Sequence, residues 1–176
     1  YEAPAIIFHT KSGPLQVTKE GAQLSMDFPA RPPREVVAPV DLVAGLGVEV
    51  VYVGKSRDYL VQVASEAEVH ACQPLMEQIA RLDAVGVIVT AEGASDKVDF
   101  VSRFFAPQAG VPEDPVTGSA HSTLIPFWAE RLGKKEMVAH QVSLRGGILD
   151  CEDRGERVKI AGKAVTFLKG EIMIDG

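Results

Sequence analysis

The chain has 176 residues, which suits one large domain or two small lobes. Its 18 Lys and Arg against 24 Asp and Glu give a formal net charge of −6, which excludes a general nucleic-acid binder, since that needs a basic face to displace phosphate counterions. At 46% hydrophobic and 24% charged residues it is an ordinary globular composition, not a disordered one. Apolar stretches such as Ala84–Val89 fall far short of the about 20 residues that a membrane span requires. The opening Tyr1-Glu2-Ala3-Pro4 has neither the basic region nor the apolar core of a signal peptide. The chain does not open on Met, and its first apolar segment starts almost at once. An upstream part is therefore expected to have been removed, or the chain to be a piece of something longer.

Cys72 and Cys151 have no metal-binding spacing and sit far apart. They exclude a disulfide framework, fit a reducing cytoplasm, and read as small buried hydrophobes. His9, His70, His121 and His140 form no H-x-x-x-H pair, so a zinc site has no support.

In chain order, Ala5–Thr10 and Leu15–Thr18 read as a β-hairpin around Ser12-Gly13-Pro14. Gln23–Phe28 alternates as a half-buried strand, with Leu24, Met26 and Phe28 on one face. The stretch Pro29-Ala30-Arg31-Pro32-Pro33-Arg34 is the best linker candidate, because proline fixes φ and removes donors. Val40–Leu46 suits one or two helical turns ended by Gly45 or Gly47. Val48–Val53 and Tyr59–Val63 read as strands. Ser65 or Glu66 opens a helical region, and Pro74–Leu82 places Leu75, Ile79 and Leu82 on one helical face. Val85–Thr90 and Asp99–Phe105 are strands. Ala120–Leu132 is the clearest helix, with Leu124, Phe127, Trp128, Ala129 and Leu132 as its apolar face and Gly133 as its stop. Pro126 inside it should bend or locally break it. The tail reads as five strands, Val138–Leu144, Ile148–Glu152, Glu156–Ile160, Ala164–Leu168 and Glu171–Ile174. Many strands with few helices predict an α+β fold, with sheets wrapped around a central helix.

The window from Arg103 to His121 leads from a strand, through a loop rich in Gly and Pro, to the start of the main helix. Unpaired backbone N–H groups and the positive end of the helix dipole make such a start an anion site. Thr117-Gly118-Ser119 would supply a close-approach glycine and a capping hydroxyl. Asp114, just before it, can move a proton or orient a substrate amine, or can simply tie the loop, and the motif alone does not separate these roles. His121 can be a packing residue or a proton shuttle. Glu113 ranks below Asp114. Arg103, on the face of Val101 and Phe105, suits a structural ion pair better than a substrate carboxylate. Arg145-Gly146-Gly147 suits a bulge or tight turn. A hydrolase using Ser119 would lack both a Gly-x-Ser-x-Gly elbow and a recognisable base.

The string Glu113-Asp114-Pro115-Val116-Thr117-Gly118-Ser119-Ala120-His121, preceded by Arg103-Phe104-Phe105-Ala106-Pro107, resembles the signature of the PhzF-like phenazine-biosynthesis family. Thr10-Lys11-Ser12-Gly13-Pro14-Leu15, Met26-Asp27-Phe28-Pro29-Ala30 and Gln141-Val142-Ser143-Leu144-Arg145-Gly146-Gly147 resemble its flanking segments. The likeness covers essentially the whole chain and fits the C-terminal two-thirds of the family pattern. It implies a diaminopimelate-epimerase-like fold of two pseudo-equivalent lobes, each a sheet around a central helix, with the site in the cleft between them. On that pattern residues 1–33 form a partial first lobe, 34–168 a second lobe with its central helix at about 119–133, and 169–176 a last strand that can return to the first lobe.

The resemblance implies an isomerase or epimerase-like enzyme that moves a proton on a small carboxylic acid without metal or organic cofactor. Asp114 and Ser119 would be its catalytic residues in this lobe. Thr117, Gly118, Ser119, Ala120 and His121 would bind the substrate's acidic group. Related two-thiol racemases are disfavoured, because neither Cys72 nor Cys151 falls in the loop. The family's acid/base glutamate and its Gly-His-Ala-Thr segment have no counterpart here, so this chain alone is expected to be inactive. The alternative is a non-catalytic module that binds a small carboxylate or serves assembly. The expected associations are a homodimer or pairing with a missing N-terminal fragment, in the cytoplasm, with no nucleic acid or membrane partner.

Overall fold

The structure is a computed structural model that describes residues 5–10, 13–171 and 173. Among the described residues, twelve strands and four α-helices follow in the order β1 (Ala5–Thr10), β2 (Gly13–Glu20), β3 (Gln23–Pro29), β4 (Arg34–Glu35), α1 (Val40–Leu46), β5 (Tyr52–Lys55), β6 (Tyr59–Gln62), α2 (Glu66–Ala71), α3 (Met76–Ile79), β7 (Val87–Glu92), β8 (Phe100–Ala106), β9 (Val111–Glu113), α4 (Gly118–Leu132), β10 (Glu136–Gln141), β11 (Gly147–Asp153) and β12 (Arg157–Lys163). The strands join in one mixed sheet, in the order β1-β2-β3-β12-β11-β10-β8-β7-β6-β5-β4, with β9 beside β8. The β8–β10 and β6–β7 pairs are parallel, and the rest are antiparallel.

Two apolar cores lie on opposite faces of the central strands. On one face Leu60, Ile88, Phe100 and Phe104 pack with Leu124, Phe127 and Trp128 of α4 and with Leu149, Val158 and Ile160 of β11 and β12. On the other, Val61, Val87, Val89, Val101 and Phe105 pack with Leu42, Leu46, Val69 and Ile79 of α1, α2 and α3. Strands β7 and β8 are thus buried on both faces, which is why they read as continuous apolar runs and not as an alternation. Trp128 stacks on Phe100 at 5.9 Å between ring centroids, and its Nε1–H donates 3.0 Å to Thr90 Oγ1. The Thr90 hydroxyl in turn donates 2.6 Å to the Val101 carbonyl, so the indole's polar atom is satisfied inside the core.

Element boundaries have identifiable physical causes, and some of them differ from expectation. Helix α1 ends at Gly47, whose φ of 64° is left-handed and whose N–H donates to the Val43 carbonyl. Gly45 lies within the helix, where a Cβ would sit 3.1 Å from Ile79, so it permits close approach of α1 and α3. Ser65 is the N-cap of α2 and accepts from the Glu68 amide. The helical face of Pro74–Leu82 shrinks to the single turn α3. The linker is shorter than its prolines suggested: Pro29 closes β3 opposite Arg157, and Arg34–Glu35 pairs with β5.

Pro126 does not break α4, which runs without interruption from Gly118 to Leu132. Proline leaves the Ser122 carbonyl without its helical donor, and the Arg31 amide donates to that oxygen at 2.8 Å instead. No strand forms over Ala164–Leu168, where the exposed Val165, Phe167 and Leu168 find no pairing partner. The predicted strand Glu171–Ile174 is likewise absent at Glu171 and Met173; Ile172 and Ile174 lie outside the described residues. No helix among the described residues is long and apolar enough to cross a membrane.

Candidate active site

Strand β8 delivers the chain to the site. After Ala106 a short 3-10 turn, Pro107–Ala109, reverses it, and β9 returns along β8 with an irregularity at Phe105/Ala106. Part of the loop predicted before the helix is therefore a strand. Arg103 and Glu113 fix it through a bidentate pair, Nε–Oε1 2.7 Å and Nη2–Oε2 3.0 Å. Arg103 Nη1 also donates 2.6 Å to the Cys72 carbonyl and 3.3 Å to the Val69 carbonyl at the end of α2. Arg103 is thus a structural ion-pair residue, and Glu113 is its partner.

Asp114 is half-buried and leads into the start of α4. Its Oδ2 accepts 2.6 Å from the Thr117 hydroxyl. That hydroxyl oxygen accepts 3.1 Å from Gln141 Nε2, which also donates 2.7 Å to the Asp114 carbonyl. Gln141 Oε1 accepts 2.7 Å from the Thr117 amide. Three residues from the loop, the helix cap and β10 thus form one closed network. Gln141 is fully buried, so this network is expensive to disturb. On the same loop, Ser143 Oγ donates 2.7 Å to the Pro115 carbonyl.

Thr117 is the N-cap residue of α4, but its side chain makes no capping hydrogen bond. The predicted capping hydroxyl is otherwise engaged: that of Thr117 serves Asp114, and Ser119 Oγ accepts 3.0 Å from Arg57 Nη2. The first-turn N–H groups, which have no carbonyl one turn earlier, have no side-chain acceptor among the described residues. With the helix dipole they form a site suited to an anion. Gly118 packs closely: a Cβ there would lie 3.3 Å from the Phe28 ring of β3, which would have to give by a few tenths of an ångström. Ser119 and Gly118 are half-buried, while Ala120 is 1% exposed.

His121 lies in the core. Its Nδ1–H donates 2.7 Å to the Thr117 carbonyl, and Nε2 has no partner among the described residues. Burial pushes its pKa down to about 4, against a smaller upward pull from the Thr117 carbonyl, so the ring is neutral near pH 7. The cysteines lie in the two cores and away from the loop. Burial pushes the Cys72 thiol up to about 11 and raises that of Cys151 further.

Arg57, Asp58 and Gln141 are the site neighbours that residue types alone did not reveal. Gln141 does leave a trace, as the one polar residue in the inward series Met137, Ala139, Gln141 of β10. The Arg57-Asp58 pair leaves none, because it sits in a turn between strands.

The family model of phenazine biosynthesis-like proteins matches residues 2–170. The chain belongs to this PhzF family. It is 50% identical over 177 residues to an uncharacterized isomerase of Pseudomonas aeruginosa, covering 99% of this chain and 67% of that protein. It is 44% identical over 171 residues to an uncharacterized isomerase of Halalkalibacterium halodurans, covering 96% of this chain and 64% of the relative. The chain therefore spans about two thirds of the length of these relatives. Among solved structures, a PhzF-family protein of Enterococcus faecalis superposes with a TM-score of 0.90 at 41% identity, over 99% of this chain and 66% of that one. A predicted epimerase of Pseudomonas aeruginosa, 17% identical, shares the fold with a TM-score of 0.70, over 97% of this chain and 67% of that one. The PhzF/epimerase-like fold, with a mixed sheet and few helices, is thereby established for this chain.

Proposed function

We propose that this chain is the larger part of an isomerase or epimerase-like enzyme that moves a proton on a small carboxylic acid without metal or organic cofactor. The observation that carries the proposal is the Asp114–Thr117–Gln141 network, which fixes a carboxylate directly before an uncapped helix start. In this reading the backbone N–H groups of Gly118, Ser119 and Ala120 hold the acidic group of the substrate. Thr117 and His121 act one step back, since the His121 ring grips the Thr117 carbonyl and sets the angle of the turn. Ser119 donates to the bound acid, and Asp114 orients the substrate or exchanges a proton at a carbon next to an unsaturated system.

Turnover belongs in this reading to the complete protein. A two-lobed enzyme has its cleft between lobes, and residues 1–33 are read as part of the first lobe. The relatives' names support the isomerase class. The edge strand β1 supports association, as Ile6, Ile7 and Phe8 are 39%, 57% and 50% exposed. The association is either with the rest of the first lobe or with a second copy.

The test is incorporation of deuterium from deuterated water into small cyclic unsaturated carboxylic acids by the complete protein. Asp114→Asn is expected to slow incorporation by about 100-fold or more. Full incorporation by that variant would remove Asp114 from the mechanism.

A further inference from the structure

The turn between β5 and β6 carries a second charged pair that reaches the start of α4. Asp58 is fully buried, at 0% exposure. Its Oδ2 accepts from both Nε and Nη2 of the adjacent Arg57, at 3.0 and 2.6 Å. Its Oδ1 has no partner among the described residues, so Arg57 supplies the hydrogen bonds this carboxylate receives. The same Nη2 donates 3.0 Å to Ser119 Oγ. One residue earlier, Ser56 Oγ and Thr123 Oγ1 are 3.0 Å apart, which ties the turn to α4 one helical turn beyond Ser119.

A serine hydroxyl has one hydrogen to donate and two lone pairs to accept with. When Arg57 occupies a lone pair, the hydroxyl hydrogen is directed elsewhere, and no acceptor for it is found among the described residues. A guanidinium anchored on a buried carboxylate also loses little further freedom when a ligand arrives.

We propose that Arg57, anchored by Asp58, is a positioning residue that acts through Ser119: it holds the hydroxyl as a donor toward the acidic group of a small carboxylate bound at the start of α4. The proposal rests on the carboxylate-binding reading above and adds the residue that sets the polarity of Ser119. Asp58 contributes by fixing the guanidinium.

The experiment is calorimetric titration of the complete protein with benzoate, in wild type, Arg57→Met, Ser119→Ala and the double variant. Each single change is expected to weaken binding about tenfold, since a charge-oriented hydrogen bond is lost in both. The double variant is expected to match Ser119→Ala within about twofold, because Arg57 has no hydroxyl left to orient. Arg57→Lys keeps a cationic donor but not the fork that joins Asp58 to Ser119, so it should recover only part of the affinity, and the double-variant comparison is the readout that a merely structural role in the turn would not reproduce. If Arg57→Met fails to fold around the unpaired Asp58, the neutral pair Arg57→Met with Asp58→Asn replaces it, with the same expectation. Unchanged binding on loss of Arg57, or additive losses in the double variant, would overturn the proposal while leaving carboxylate binding intact. Absence of benzoate binding by the wild-type protein would instead overturn the carboxylate reading and this proposal with it.

Discussion

The Arg31 amide donates 2.8 Å to the carbonyl of Ser122, the helical oxygen that Pro126 cannot serve. A chain segment that looked like a linker thereby completes the hydrogen bonding of the central helix. Arg31→Pro removes the donor and is expected to cost about 1–3 kcal/mol, while Arg31→Ala keeps the amide and costs little. In a Pro126→Ala background Ser122 regains a helical donor, and the Arg31→Pro penalty should shrink. Chemical denaturation of the four proteins measures this, and equal penalties in both backgrounds would contradict it.

The Arg103–Glu113 pair holds the returning strand before Asp114. Arg103 also serves the Val69, His70 and Cys72 carbonyls at the end of α2, so its loss strands several polar groups at once. Arg103→Met is expected to destabilise the protein by about 2–4 kcal/mol, less than a fully buried pair would give because both side chains keep some solvent contact. Equilibrium unfolding of the variant checks the figure, and a loss below about 1 kcal/mol would mean that water replaces these contacts freely.

His121 makes stability depend on pH. Its pKa falls from an ordinary 6.5 to about 4 in the folded state, so the unfolded chain binds its proton first as pH drops. The stabilisation from the neutral ring is full above about 6.5, falls between 6.5 and 4, and is lost below. The loss over that window is on the order of 3 kcal/mol. Unfolding measured from pH 7 to 4 should show a shallower slope in His121→Asn than in wild type. Parallel slopes would mean the ring is solvated or protonated in the native state.

Much of this was readable from residue order, and the failures have physical causes. The 3.6-residue pattern from Leu124 to Leu132 marked α4, and the apolar runs of β7 and β8 followed from burial on both faces. Pro126 misled because the donor that compensates for it, the Arg31 amide, lies far earlier in the chain, outside any local window. The strand predicted at Ala164–Leu168 failed because an apolar run forms a strand only where an edge receives it, and these side chains stay exposed. At the site, the Asp114-to-His121 string located the helix start, but the partners that orient it come from β10 and from the β5–β6 turn. Neither sequence spacing nor residue type connects Arg57 to Ser119.

The thiols should be inert while the protein is folded. Cys72 and Cys151 are 1% and 3% exposed, and burial raises both above the ordinary thiol range. Iodoacetamide at pH 8 is expected to label neither in native protein and both after denaturation, as read by mass spectrometry. Rapid labelling of the native protein would mean that one of the cores opens readily.

The most direct test of the account is an amide-shift titration of the isotope-labelled complete protein with cyclohexenecarboxylate. The account predicts that the N–H signals of Gly118, Ser119 and Ala120 move together and saturate, and that Gln141 side-chain signals move with them through Thr117. Saturable shifts elsewhere with the α4 start unmoved, or no shifts at all, would contradict the assignment of this helix start as the carboxylate site.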